Sequence, residues 1–280
     1  MRFRTARPED HASIAAFTQD TFDWGDYVSD RFTDWLADPA TEVFVASDEG
    51  AVVALVRVEL LSPEEAFLAS ARVAPSYRGQ GLAGTLNDMS MDWAREQGAV
   101  VGRLAVEDWN EPARRQVRKL GFRTVSSWNF SHKPADQGRD ASAVARLEVT
   151  DAAEAESAFG AWATGDLARA AHELFQDNWS WRKMLIDDLT GAAANRSLLA
   201  GPNGWVIVSS DPEDDTFWVP WLQTSHSEAP GMATDILAVG GEAALIRVMA
   251  PSVPWLDEAL ARAGFELNPI QIYEKETSRA

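Results

Sequence analysis

The sequence predicts an α/β (α+β) chain made of two similar halves, and three observations carry that expectation. Alternating apolar runs of strand length interleave with amphipathic runs of helical length along all 280 residues. The order of these runs repeats, with Gly264-Phe265 falling in the second half where Gly121-Phe122 falls in the first. Between the repeats lies HKPADQGRDASA, His132 to Ala143, whose Pro, Gly, Asp and Lys with little apolar content read as an exposed linker. The expected division is a first domain at 1–133, a linker at 134–143 and a second domain at 144–280.

The elements follow in order. FRTARPEDHASIAAFTQDTF reads as a short strand, a Pro-Glu-Asp turn and a helix with Ile14 and Phe17 on its apolar face. EVFVAS and AVVALVRVEL alternate as strands and are joined by Asp48, Glu49 and Gly50, the signature of a hairpin. AFLASARV is a third strand, followed by APSYRGQG and then a helix whose Leu82, Leu86, Met89 and Trp93 recur at helical spacing up to a C-terminal glycine, Gly98. VVGRLAV, a helix from about Pro112 to Leu120 stopped by Gly121, and the strand FRTVSSWNF complete the first half. In the second half ARLEVTDAAEAESAFGAW restates the opening strand and helix, and NRSLLAGP with GWVIVSS restates the hairpin. TFWVPWL, AALIRVM, VPWLDEALARAGF and PIQIYEK then restate the later elements.

Composition narrows the function. With 46% hydrophobic residues the chain can bury a substantial core, and its length suits two domains. The balance of 25 basic against 43 acidic residues, net charge −18, opposes a general nucleic-acid or anionic-membrane surface. The absence of cysteine excludes disulfides, thiolate metal sites and a cysteine nucleophile, and no metal is expected. MRFRTARPEDHASIAAF lacks the apolar core of a signal peptide, and no stretch has the ~18 apolar residues of a membrane helix. A cytoplasmic protein, monomer or homodimer, is the expectation.

RVAPSYRGQGLAGTL, Arg72 to Leu86, places a glycine-rich turn between a strand and a helix. That arrangement gathers backbone N–H groups at the positive end of a helix dipole, which is the outline of a phosphate site. Gly79 and Gly81 let an anion approach the main chain, and Arg78 adds a fixed charge. No Lys-Ser or Lys-Thr follows the glycines and the run is not GxGxxG, so nucleoside triphosphate and dinucleotide sites are disfavoured. By itself such a turn also suits a purely structural role.

Arg78-Gly79-Gln80-Gly81-Leu82-Ala83 matches the Arg/Gln-x-x-Gly-x-Gly/Ala signature of GNAT-superfamily acetyltransferases, and Val73-Ala74-Pro75-Ser76-Tyr77 before it resembles the same family. Asn110 with Ala113, then Lys119-Leu120-Gly121-Phe122, resemble its later helix, so the likeness covers most of residues 1–132. The resemblance implies two tandem domains of a mixed, mostly antiparallel central sheet flanked by helices. It implies acetyl-CoA as co-substrate, with pyrophosphate on backbone N–H groups from Arg78 to Ala83, pantetheine along the strand ending at Val73, and Asn110 nearby. It also implies direct attack of an amine on the thioester through a tetrahedral oxyanion, the oxyanion donor being a main-chain N–H near Val73. Holding both reactants together supplies much of the rate.

The remaining chemistry needs a base for the amine proton and an acid for the departing thiolate. Many family members carry a tyrosine seven residues after the helix asparagine; here that position is Val117, which cannot donate a proton. Ser126, Ser127 and His132 are weaker candidates for the acid. Glu107, beside Asp108, and Glu59 stand at strand ends and are the candidate bases. Asp23, Trp24, Asp26 and Tyr27, between the first two helices, combine carboxylates with aromatic rings in a way that suits a cationic amine. The acceptor expected is the amine of a small molecule or peptide; Val117 keeps a non-catalytic acyl-CoA-binding or sensing protein as the alternative.

In the second half the matching segment is SEAPGMA. Glu228 replaces Arg78 and Pro230 replaces Gln80, which sets a negative charge and a missing N–H where phosphate would lie. The helix after it looks shorter and no Asn-x-x-Ala follows. The second half therefore reads as a degenerate copy without the acyl-CoA loop, and Trp179, Trp181, Trp205, Trp218, Trp221 and Trp255 give it large surfaces for packing.

Overall fold

The computed structural model describes residues 1–21, 25–134, 146–211, 214–241 and 243–277. In chain order the elements are β1 (Arg2–Thr5), α1 (His11–Thr18), α2 (Val28–Ala37), β2 (Thr41–Asp48), β3 (Ala51–Ser62), β4 (Glu65–Val73), α3 (Leu82–Glu96), β5 (Val101–Glu107), α4 (Glu111–Lys119) and β6 (Arg123–Pro134). They continue with β7 (Glu148–Val149), α5 (Ala152–Thr164), α6 (Asp166–Ala171), β8 (Leu174–Asp177), β9 (Ser180–Lys183), α7 (Ile186–Ala194), β10 (Leu198–Gly201) and β11 (Gly204–Asp211). β12 (Thr216–Gln223), α8 (Ala229–Val239), β13 (Leu245–Pro251), α9 (Pro254–Arg262) and β14 (Glu266–Glu276) end the chain.

Two compact units result, and they differ from the two halves expected from the linker. One comprises residues 1–105, 112–123 and the segment from Tyr273; the other comprises 106–111 and 124–272. A strand belongs to the ladder that satisfies its backbone groups, whatever its place in the chain. Nearly all of β6 therefore lies in the second unit, and the last residues of β14 lie in the first. β6 also runs through the start of the expected linker, since His132 and Lys133 pair with Arg247 and Ile246; residues 135–143 of that linker lie outside the described residues.

In the first unit β1, β2, β3 and β4 pair antiparallel in sequence order. The β2–β3 turn places Glu49 and Gly50 at φ +48° and +92°, the primed geometry that matches strand twist. Ile14, Val28, Phe32 and Trp35 of the first two helices bury against Val43, Val45, Val52 and Leu55 of the sheet, each such side chain contributing about 1.5–3 kcal/mol. On α3, Leu82, Leu86, Met91 and Ala94 are buried. Gly102 of β5 is fixed by this packing, because a Cβ there would stand within 3.0 Å of the Met91 thioether. Arg103, 3% exposed, is held by Glu65 and by Glu274 at 2.8 Å, which pairs a buried charge and also ties the C-terminal segment into this unit.

The second unit orders its strands β14, β6, β13, β12, β11, β10, β7, with β8 and β9 as a separate hairpin. That hairpin, α6 and α7 carried no clear signal in the sequence: its turn is Asn178-Trp179, at φ +46° and +63°, with no glycine to mark it. Pro220 lies in a central strand, where the missing N–H would break a ladder. The register explains it. Ile207 pairs with Trp221 and Ser209 with Trp218, so Val219 and Pro220 oppose the single residue Val208 as a bulge.

Candidate functional site

Two features of the first unit shape the region around the glycine-rich loop. β4 carries a bulge: Arg57 pairs with Ala69 and Leu55 with Arg72, so Ser70 and Ala71 oppose Val56, and Ser70 sits at φ +56°. β4 and β5 are parallel partners only from Glu65–Phe67 to Val101–Arg103. Beyond that pairing, among the described residues, the edge of β4 from Leu68 to Val73 has no ladder partner on the β5 side.

The loop continues from this open edge. Ala74 N–H donates to Val53 O at 2.8 Å, and a 3-10 turn at Pro75–Tyr77 is anchored by Tyr77 Oη donating to Asp48 at 3.0 Å. That bond to Asp48 raises the Tyr77 pKa. Arg78 Nε donates to Val73 O at 3.2 Å while the side chain stays exposed. Gly79 and Gly81 then adopt φ +79° and +80°, a region that costs an L side chain. A Cβ at either position would meet nothing within 4 Å, so backbone conformation, not crowding, demands glycine. Gly81 is the N-cap of α3 and has no side-chain cap. Among the described residues, the N–H groups of Gly79, Gln80, Gly81, Leu82 and Ala83 donate to no backbone carbonyl. Five consecutive unpaired donors at a helix start, beside Arg78, suit an anion with several oxygens.

The segment SEAPGMA of the second unit is closed where this loop is open. Ala229 N–H donates to Ser225 O and Met232 N–H to Glu228 O, both at 2.9 Å. The Glu228 carboxylate accepts from Ser225 Oγ at 2.6 Å. A Cβ on Gly231 would stand 2.5 Å from the Asn203 amide, so this glycine serves a close side-chain approach.

The expected acceptor residues divide. Asp23 and Trp24 lie outside the described residues. Asp26 is not an exposed anion: its side chain is 0% exposed and receives Arg72 Nε at 2.6 Å and Nη2 at 3.2 Å. The carboxylate also accepts the Val28 N–H at 3.2 Å. A buried arginine on β4 needed that charge, which the sequence could not reveal because 46 residues separate the pair. Burial opposes the Arg72 charge, but Asp26 and Tyr27 more than offset this and hold its pKa above the ordinary value. Tyr27 remains 40% exposed. Its ring lies 5.5 Å from the Arg72 guanidinium and edge-on to Trp35, and its hydroxyl is 3.2 Å from Ser70 Oγ.

Of the candidate bases, Glu59 is mostly buried and bonded to Arg57 Nη1 at 2.6 Å, whereas Glu107 is exposed and its carbonyl accepts the Asn110 N–H at 3.0 Å. Glu59 falls in the first unit, Glu107 and Asn110 in the second. Val117 is buried in α4. Ser126 accepts from Trp128 Nε1, Ser127 donates to Gln271, and His132 meets Glu266 and Asn268, so all three are engaged in the second unit. Sequence reading missed Tyr273. It is 0% exposed, its hydroxyl has no partner among the described residues, and the Arg118 guanidinium of α4 lies 6.0 Å from its ring. No sequence signal could connect residue 273 with α4. Among the described residues no group of acidic or histidine side chains could hold a metal.

The first unit thus has a bulged strand, β4, that leads through a glycine turn into α3. Residues 11–122 match the acetyltransferase (GNAT) family. Over 87 residues it is 39% identical to the histidine N-acetyltransferase of Oreochromis niloticus, 31% of this chain and 26% of that protein; the chain spans only about a quarter of the length of that relative. Its fold matches a GCN5-related N-acetyltransferase from Sphaerobacter thermophilus, covering 100% of this chain and 96% of that one at 15% identity and TM-score 0.69. It matches a tandem GNAT protein from the clavulanic acid biosynthesis pathway over 100% and 99% at 14% identity and TM-score 0.61.

Proposed function

We propose that the chain transfers an acetyl group from acetyl-CoA to the amine of a small molecule or peptide, with residues 1–133 supplying the donor site. The observation that carries this reading is the run of five unpaired N–H groups from Gly79 to Ala83, open to solvent at the start of α3. These groups and Arg78 hold the pyrophosphate. Acetyl-CoA supplies an activated thioester. The unpaired edge of β4 ending at Val73 offers main-chain groups to an extended chain and an N–H to the developing oxyanion. Of the two candidate bases, Glu59 of the first unit is engaged by Arg57, so the amine proton leaves to water. Tyr273 Oη, buried and unpartnered, provides the proton that Val117 cannot. Tyr27 offers the acceptor a ring, while Asp26 acts by fixing Arg72.

The second unit has no place for the donor, because SEAPGMA uses its own N–H groups and puts Glu228 at the loop. Likeness to a histidine N-acetyltransferase supports a small amine acceptor. No described helix is long and apolar enough to cross a membrane. A second reading, a non-catalytic acyl-CoA-binding protein, is favoured by Val117 alone.

Calorimetry with acetyl-CoA followed by a thiol-release assay over an amine panel tests both. Saturable binding with acceptor-dependent CoA release is expected. Binding without release from any amine would establish the second reading, and no binding heat would overturn both.

A further inference from the structure

The β8–β9 hairpin of the second unit covers polar groups that find no partner. Gln176 pairs across the hairpin with Trp181, so both side chains share one side, while Phe175 pairs with Arg182 on the other. Trp181 packs edge-on to Trp128 of β6, ring centroids 6.0 Å apart; Gln176 therefore faces the sheet. β8 also packs against β12. Gln176 is 0% exposed, yet neither its Nε2 nor its Oε1 has a hydrogen-bond partner among the described residues. Flipping the amide cannot help, because both ends are orphaned. Trp221 Nε1 and Gln223 Oε1 on β12, in residues 1% and 7% exposed, are orphaned as well. Native interiors leave few such groups without water or a ligand.

The tip of the hairpin is unusual in a matching way. Trp179 holds φ +63°, a conformation costly for a bulky side chain, and stays 47% exposed. Its ring stacks on Trp218 with centroids 6.5 Å apart and meets Phe130 edge-on at 5.0 Å. Next to them on the sheet is Arg247, the ladder neighbour of both Trp218 and His132. Its guanidinium lies 5.8 Å from the Phe130 ring and its Nε is buried without a partner. Among the described residues Arg247 forms no ion pair, in a chain with 43 acidic residues. An arginine left unpaired in so acidic a chain is a place for an anion from outside.

We propose that the second unit carries its own ligand site between the β8–β9 hairpin and strands β6, β13 and β12, taking a small carboxylate that bears a planar ring. Arg247 meets the carboxylate, Trp179, Trp218 and Phe130 flank the ring, and Gln176 meets a further polar substituent. The bulge at Val219-Pro220 places Trp221 in the register that Arg72 holds in the first unit, so the second unit keeps the bulged strand while lacking the phosphate loop. This site is independent of the acetyl-CoA reading.

The test titrates the full chain with benzoate, nicotinate and indole-3-acetate, each against its neutral amide, by calorimetry and tryptophan fluorescence, with acetyl-CoA titrated in parallel. At least one carboxylate should bind saturably, its amide about tenfold or more weaker, with a similar loss in Arg247→Gln and Trp179→Gly and unchanged acetyl-CoA binding. Trp179→Gly removes the positive-φ strain and the packing on Phe130 and Trp218 together, so its thermal midpoint should change little. No saturable binding up to about 10 mM would overturn the proposal, as would amides or variants binding as well as the carboxylate and the parent chain. Gln176→Leu that raises the midpoint and leaves binding intact would reduce the orphaned amide to a buried misfit and refute its part. Carboxylate binding without acetyl-CoA binding would uphold this site and reject the acetyltransferase reading.

Discussion

Substituting Gly81 by Ala and by Glu separates the two demands made on that residue. Gly81 holds φ +80° and ψ 5°, and a Cβ meets nothing within 4 Å, so alanine introduces no clash. The conformational cost of an L residue there is about 1–2 kcal/mol, which lowers the melting temperature by about 2–8 °C for a chain of this size. Gly81→Glu carries the same backbone cost and adds a carboxylate at the proposed phosphate position. Unit charges about 5 Å apart repel by about 0.8 kcal/mol in a water-like dielectric and about 3 kcal/mol at an effective value of 20. The extra loss of CoA affinity, relative to Gly81→Ala, is then between about 4-fold and about 300-fold. Both variants should melt together, and calorimetry with CoA should separate them, less so at 1 M salt where the screening length is about 3 Å. Equal CoA affinity in the two variants would refute the cradle.

Other outcomes follow from the same structure. Glu274→Gln leaves the buried Arg103 short of one carboxylate and should cost about 3 kcal/mol in chemical denaturation; a loss under about 0.5 kcal/mol would mean that Glu65 suffices. Asp10 is held below the ordinary 3.8, first by hydrogen bonds from Arg4 and then by the Arg7 N–H, against burial. A lowered carboxylate stabilises fully above 3.8 and loses that contribution as pH falls through the folded value. The stability gap between the parent chain and Asp10→Asn should thus be steady from about pH 5 to 7 and close below 3.8; a gap that persists in acid would contradict this. Glu59→Gln should act mainly on stability, through the loss of its bond from Arg57; a fall in turnover with unchanged stability would contradict this. Tyr273→Phe removes an unpartnered hydroxyl, so it should fold as well as the parent chain or better while turnover falls; undiminished turnover would remove Tyr273 from the mechanism.

Local chemistry made much of this chain legible in its sequence. Alternation and turn residues located β2, β3, β4 and their hairpin, and helical spacing up to Gly98 located α3. The glycines of RGQG announced positive φ. These are short-range properties, set by sterics and hydrogen bonding within a few residues. What the tertiary structure decided depends on partners far apart in the chain. Asp26 looked like an exposed anion until Arg72, on another element, claimed it. The hairpin at Asn178-Trp179 has no glycine because packing of Trp179 on Phe130 and Trp218 offsets its strain. Val117 suggested a missing acid, and only the fold brings Tyr273 to α4. The division into units also waited for the structure, since Glu274 reaches a buried Arg103 across 171 residues. Sequence determined which backbone shapes were available; burial of charges and pairing of strands determined which distant residues had to meet.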